Sequence, residues 1–201
     1  MALERPDDRG AFSTLAGWLS TPAAVRVAGV WAFAEALLWF IVPDVWIGLV
    51  GLFAPRRVPV SVAAIILGAM AGAAVLAVLT TVAPAGVGGL LTGIPGIRPD
   101  DLATVRSELE SQGLPAFLGG AFQGNPVKLY VHEATLLGFG PPAILFVALN
   151  RVVRVGLFGL VMAAIGIIAR RLIRRIPRVA LATYVGSWTV FYVAYFAMRA
   201  G

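Results

Sequence analysis

Long apolar runs separated by short polar or proline-rich breaks dominate the hydrophobic pattern of this chain. The runs 58–83 and 143–169 are each long enough to cross the roughly 30 Å of bilayer hydrocarbon, which takes about 20 helical residues. A third run, 179–198, is apolar and contains several aromatic residues. The pattern predicts helices that span a membrane.

Two further apolar segments are interrupted near their middles. The segment 27–54 is broken at Pro43–Asp44, and 114–138 is broken at 123–126, the sequence Gln-Gly-Asn-Pro. Because proline removes a backbone donor and unpaired polar groups are costly in lipid, neither segment is expected to form an uninterrupted lipid-facing helix. A hairpin of two half-helices that enters and leaves on the same side of the membrane fits better. Corresponding interrupted segments in two halves of a chain are typical of transporters built from repeats.

The predicted fold is an all-α polytopic membrane protein. It has two inverted-repeat-like units, each made of a re-entrant helical hairpin and a transmembrane helix, followed by one further C-terminal transmembrane helix. In chain order the single membrane domain, 1–201, comprises a polar N-terminal segment (1–26), hairpin 1 (27–54), a transmembrane helix (59–83), an extramembrane loop (84–113), hairpin 2 (114–138), and transmembrane helices at 142–169 and 179–199.

Composition and charge support this interpretation. The chain is 59% hydrophobic and 13% charged, and its net charge of +6 comes largely from arginines that flank apolar segments, so topology explains the charge better than nucleic acid does. If both hairpins are re-entrant, one side of the membrane receives most of the arginines: Arg5, Arg9, Arg26, Arg56, Arg57 and the group at 170–178. Arg98, Arg106 and Arg199 fall on the other side. The positive-inside rule therefore favours re-entrant hairpins and a cytoplasmic N-terminus. The expected location is a bacterial cytoplasmic membrane.

Ionisable residues within the apolar segments are the candidates for function, because each costs a few kcal/mol in lipid unless it is paired or hydrated. The predicted substrate or proton-coupling residues are Glu35, Asp44, Lys128, Glu133, Arg151 and Arg154. The predicted supporting residues are Gln123, Asn125, His132 and Asn150.

The arginine pair is the deepest of these candidates. Arg151 lies nine residues after Pro142, roughly 14 Å into the membrane at 1.5 Å per residue, and Arg154 follows at i+3. Two permanently charged guanidinium groups on neighbouring faces suit phosphate or carboxylate. The alternative is that both arginines form structural ion pairs with Glu35, Asp44 or Glu133.

The other candidates also have two interpretations each. Glu35, in an apolar run, suits reversible protonation, or it is a neutral hydrogen-bonded group that holds the hairpin. Asp44 either caps the second half-helix or acts on substrate. Lys128 is the only lysine and follows Pro126 by two residues, so it either forms an anion site with the half-helix terminus or extends to the membrane interface.

Enzyme motifs are incomplete in this chain, and no catalytic residue, cofactor or metal is predicted. His132-Glu133 begins like the HExxH motif of zinc proteases, but Leu136 occupies the position of the second histidine and the chain has one histidine. The absence of cysteine excludes a disulfide and a cysteine-based zinc site. A serine hydrolase that uses His132 has no supporting motif.

The layout resembles the DedA family, within the wider VTT (SNARE-associated Golgi) superfamily. The resemblance lies in Glu35 before the hairpin segment 41–44, in the second hairpin at 122–126, and in Arg151 and Arg154 on the following span. It implies paired re-entrant hairpins that move lipids or lipid carriers, with Glu35 and Asp44 in acidic roles and the arginines in basic ones. The aromatic-Arg-Phe-x-Pro-x-x-Arg signature of that family is absent here.

The leading functional hypothesis is a transporter or lipid translocase that moves an anionic lipid headgroup or another anionic substrate through a site near the membrane midplane and could be coupled to protons. Membrane lipids are the expected partners, and a homo-oligomer is left open. One alternative is a non-transporting scaffold with structural ion pairs, which uses the face from Gly68 to Gly72 for assembly. An intramembrane hydrolase is the other alternative.

Overall fold

The computed structural model describes residues 6–199, and within that range the protein is all-helical with no β-strand. The helices are α1 (Pro6–Leu19), α2 (Pro22–Leu37), α3 (Asp44–Phe53), α4 (Val58–Val82), α5 (Pro84–Thr92), α6 (Pro99–Gln112), α7 (Ala116–Gln123), α8 (Val127–Leu136), α9 (Pro142–Arg151), α10 (Leu157–Ile168), α11 (Arg170–Arg175) and α12 (Pro177–Arg199). A π-helical turn, Val152–Gly156, joins α9 to α10 without a break. The all-α prediction is confirmed for the described residues.

Three helical stretches are long and apolar enough to cross a membrane. They are Pro55–Val82 with 28 residues, Pro142–Ile168 with 27 and Pro177–Arg199 with 23. Their bounds agree with the three spans predicted from the hydrophobic pattern. The architecture is therefore consistent with an integral membrane protein.

Helices α2 and α4 form the most extensive helix pair of the fold, and they run in the same direction. Gly68 lies against the backbone of Gly29, and Gly72 lies against the carbonyl of Phe33. Because residue numbers rise together along both helices, α3 must lead from the far end of α2 back to the start of α4. The small-residue face of α4 is therefore occupied within the chain, and it is not available for the assembly role considered above.

The remaining membrane helices pack crosswise between the two halves of the chain. Helix α3 packs against α10, and α8 packs against α4. The α3–α10 contact is close because both helices carry glycines there: Gly166 lies against the backbone of Gly51 and Leu52. Helix α7 packs against α9.

The arginines separate to two ends of the molecule. Arg56, Arg57 and Arg170 border one groove at one end. At the other end the Nη1 atom of Arg199 lies 2.6 Å from the Oδ2 atom of Asp101. This separation agrees with the predicted partition for these residues. Arg5 and the side chain of Arg9 lie outside the described part of the chain.

Two segments hold more structure than the sequence pattern indicated. Residues 6–19, predicted as part of a polar segment, form helix α1, which packs against α3 and α11. Its packing residues Phe12, Leu15 and Leu19 recur at helical spacing, and Leu19 is fully buried. The predicted loop 84–113 contains two helices, α5 and α6.

Candidate functional site

The two interruptions predicted from proline positions lie together in the fold. The first break, between α2 and α3, includes Trp39, whose carbonyl oxygen accepts a hydrogen bond of 2.7 Å from the Nζ atom of Lys128. Lys128 lies in the first turn of α8, immediately after the second break. Both breaks border one cavity of about 450 Å³. This shared cavity is the candidate functional site.

Local sequence explains both breaks. The first is held by the indole of Trp31, which donates a 2.9 Å hydrogen bond to the carbonyl of Ile41. The second follows Gly124, whose φ of +85° is a conformation that favours glycine and ends α7. Pro126 then precedes α8, in an extended conformation that starts the new helix. Lys128 is thereby placed at the positive end of a half-helix.

A buried ion pair joins the two halves of the chain at the cavity. The Nη2 atom of Arg151, at the end of α9, contacts the Oε2 atom of Glu35 on α2. Arg151 is 1% exposed and Glu35 is 3% exposed. The Nε atom of Arg151 is buried and has no hydrogen-bond partner among the described residues. The pair is thus shielded from bulk water but keeps one unused donor.

A second pair lies beside the first. The Nε atom of Arg154 is 3.3 Å from the Oδ1 atom of Asp44. The side chain of Arg154 is 27% exposed and lines the cavity. Asp44 is the first residue of α3 rather than its cap, and no side-chain capping bond forms at Pro43. The capping interpretation of Asp44 is therefore wrong, although its carboxylate still faces the favourable end of the helix dipole.

A π-helical turn begins between the two arginines. Arg151 ends α9, and Arg154 lies within the turn Val152–Gly156. A π-helical turn inserts extra backbone into an α-helix and is frequent at functional sites. Here it directs two neighbouring guanidinium groups to carboxylates on different helices, α2 and α3.

The charges at the site do not balance. When every group is ionised, Lys128, Arg151 and Arg154 face Glu35 and Asp44, which leaves one positive charge in excess. Excess positive charge at low dielectric favours an anion strongly. The site can therefore attract a phosphate or a carboxylate.

An aromatic wall on α12 covers the other side of the cavity. It consists of Tyr184, Trp188, Phe191, Tyr192, Tyr195 and Phe196. The Oη atom of Tyr192 accepts a 2.9 Å hydrogen bond from the backbone N–H of Val42, and that of Tyr184 donates one of 2.7 Å to the carbonyl of Val45. Sequence reasoning did not select these residues, but the four-residue spacing of 184, 188, 192 and 196 is a signal that could have found them.

Three of the predicted site residues, Gln123, His132 and Glu133, do not line the cavity. The Nδ1 atom of His132 is 3.1 Å from the Oγ1 atom of Thr80, and Glu133 lies 3.5 Å from the Nη1 atom of Arg106 on α6. Neither borders the cavity, because α8 leads away from it along α4. Gln123 is exposed.

The two predicted asparagines do border the cavity. Asn150 donates a 2.7 Å hydrogen bond from Nδ2 to the carbonyl of Phe117, which ties α9 to α7. Asn125 lies in the second break itself. Both fit a supporting role.

Within residues 6–199, no group of three His, Cys, Asp or Glu side chains is placed to hold a metal ion. Ser187 borders the cavity, but its hydroxyl donates to the carbonyl of Tyr184 at 2.8 Å.

Comparisons with models of known protein families, with curated proteins and with solved structures found no match.

Proposed function

We propose that this protein is a membrane translocase for amphipathic anions, with lipids that carry an anionic headgroup as the preferred class. The observation that carries the proposal is the cavity in which Arg151 and Arg154, each paired to a carboxylate, face an aromatic wall. The arginines therefore provide charge, and the aromatic wall provides apolar surface, within one site. A substrate with a charged end and an apolar end matches both.

Anion recognition rests on the guanidinium groups. A phosphate oxygen can accept from the unused Nε donor of Arg151, and Arg154 keeps donors beyond the one that contacts Asp44. The Lys128 side chain adds a further nitrogen donor to the same cavity. The apolar faces of Trp188 and Phe191 suit the chain-proximal part of a lipid.

The pairing of Arg151 with Glu35 supports proton coupling. A proton taken up by Glu35 would neutralise the carboxylate and free the guanidinium for substrate. Loss of that proton would restore the pair and expel the anion. A ligand that binds one of two such states better shifts the equilibrium between them, which is the basis of coupled transport.

Packing of the two halves supports re-entrant hairpins and an inverted repeat. Since α2 and α4 run in parallel, α3 returns toward the side from which α2 starts. The crosswise pairs α3–α10 and α8–α4 are what two related units produce when each hairpin packs on the span of the other unit. These features, together with the layout of Glu35 and the arginines, support the proposed resemblance to the DedA family.

Labelling of single introduced cysteines tests the re-entrant topology in this cysteine-free chain. We expect Ala23→Cys and Arg57→Cys to react with a membrane-impermeant maleimide from the same side of sealed vesicles, and Ser107→Cys from the opposite side. All three positions are exposed. Reaction of positions 23 and 57 from opposite sides would show that the first hairpin crosses the membrane.

Translocation itself is measured in proteoliposomes that contain a phosphatidylglycerol with a fluorescent acyl chain. An impermeant reductant bleaches only the outer leaflet of protein-free vesicles, whereas wild-type protein is expected to expose the inner leaflet as well. The same assay with phosphatidylcholine tests the preference for anionic headgroups. Bleaching no greater than that of protein-free vesicles for every lipid would reject the proposal.

A charge-neutral pair of substitutions separates transport from a structural role. Glu35→Gln with Arg151→Gln removes both charges of the buried pair, so neither member is left charged without its partner. If the pair only fixes helix register, a variant that folds should translocate lipid at the wild-type rate. We expect the rate to fall to that of protein-free vesicles, because the guanidinium and the titratable group are both lost.

A further inference from the structure

A groove at the arginine-rich end of the molecule lies outside the candidate functional site. It has a volume of about 720 Å³ and lies between α1 and α11. Its polar lining consists of Ser13, Ser20, Arg170, Arg171, Arg174 and Arg175. Arg174 also lies over the ring of Phe12, 5.5 Å from its centroid, which fixes one guanidinium against α1.

This groove is placed at the membrane surface by its position in the chain. Helix α11 has six residues and connects two stretches that are each long enough to cross a membrane, α9–α10 and α12. A connector of that length stays close to the ends of both spans. The groove therefore lies at the depth of lipid headgroups.

Exposed apolar side chains continue from the groove onto the end of α10. Ile168 is 84% exposed, Ile167 is 62% exposed and Leu172 is 58% exposed. Ile167 and Ile168 border a cleft that also includes Arg170, Arg171 and Arg174. Basic and apolar side chains thus lie together in this cleft, as a phosphate and the first part of the acyl chains do in a phospholipid.

We infer that the α1–α11 groove is a binding site for an acidic glycerophospholipid, separate from the central cavity. The headgroup phosphate binds Arg170, Arg171 and Arg174, and an acyl chain lies along Ile167, Ile168 and Leu172. Among the described side chains, no carboxylate lines this groove. Guanidinium groups match the geometry of the phosphate that both anionic and zwitterionic lipids carry. The arginines also repel the cationic group of a zwitterionic headgroup, which gives the groove a preference for anionic lipids.

Native mass spectrometry of the detergent-solubilised full chain, titrated with phosphatidylglycerol or phosphatidylcholine, tests this inference. Arg171→Gln with Arg174→Gln is expected to lower phosphatidylglycerol affinity about thirtyfold at one bound lipid, since each basic side chain near a membrane surface contributes roughly fivefold. Arg26→Gln with Arg98→Gln is the matched control, because it removes two exposed arginines elsewhere. The control pair should leave the affinity unchanged.

Several outcomes would overturn the site. The first two are an equal loss of phosphatidylglycerol affinity in the groove and control variants, and no loss of that affinity in the groove variant. The others are equal affinity of the wild-type protein for the two lipids, and displacement of the bound lipid by inorganic phosphate at millimolar concentration. The variant Arg171→Lys with Arg174→Lys, which keeps the charge, should recover most of the affinity if folding is intact. Failure of translocation in the proteoliposome assay with groove binding preserved would reject only the proposed function.

Discussion

Replacing Arg151 with alanine is expected to lower the initial rate of lipid translocation at least tenfold, since a hydrogen bond to a charged group contributes about 1.5–3 kcal/mol. The deepest guanidinium of the cavity is then absent, and Glu35 loses its partner. The proteoliposome assay measures the rate.

Two further variants make the Arg151 result interpretable. Arg26→Ala removes an exposed arginine from α2 and should leave the rate unchanged. Arg151→Lys keeps a positive charge but loses the planar fork, so we expect an intermediate rate. A wild-type rate for a folded Arg151→Ala protein, shown monodisperse by gel filtration, would remove this arginine from the mechanism.

The second large effect is on stability. Gly68→Ala should destabilise the protein by about 3 kcal/mol or more, at the upper end of the range for overpacked sites. A Cβ atom at Gly68 would overlap the carbonyl group of Gly29, and backbone cannot move aside as a flexible side chain can. The free energy of unfolding in mixed micelles, followed by circular dichroism, measures the change.

The chain offers a matched control for this substitution. Gly186 lies in α12, and a Cβ atom there would meet nothing within 4 Å. Gly186→Ala should therefore be neutral or stabilise the protein by roughly 0.5–1 kcal/mol, the usual gain of alanine over glycine in a helix. Equal effects at positions 68 and 186 would contradict the close packing of α2 on α4.

The spans and the breaks could be predicted from sequence because each depends on local chemistry. A run of about twenty or more apolar residues indicates a membrane-spanning helix. Proline interrupts a helix because it lacks a backbone N–H, which explains the breaks at Pro43 and Pro126. Helix α1 was missed because the stripe of Phe12, Leu15 and Leu19 is short and directly follows the charged segment 4–9.

Contacts between residues far apart in the chain could not be predicted from the sequence in this way. Lys128 donates to the carbonyl of Trp39, 89 positions away, and any residue type could have supplied that acceptor. The same limit applies to Glu133, which, like Glu35, is a glutamate within an interrupted apolar segment. Only the direction of α8 sends Glu133 to Arg106 and away from the cavity.

The π-helical turn between α9 and α10 has a consequence for motion. Before it, α9 packs on α4 and α7, and after it, α10 packs on α3. Regular backbone hydrogen bonding is interrupted where these two packing partnerships meet, at the depth of Arg151. A small bend at this turn would change the distance between Arg151 and Glu35 without disturbing the packing of α9 on α4 and α7 or of α10 on α3.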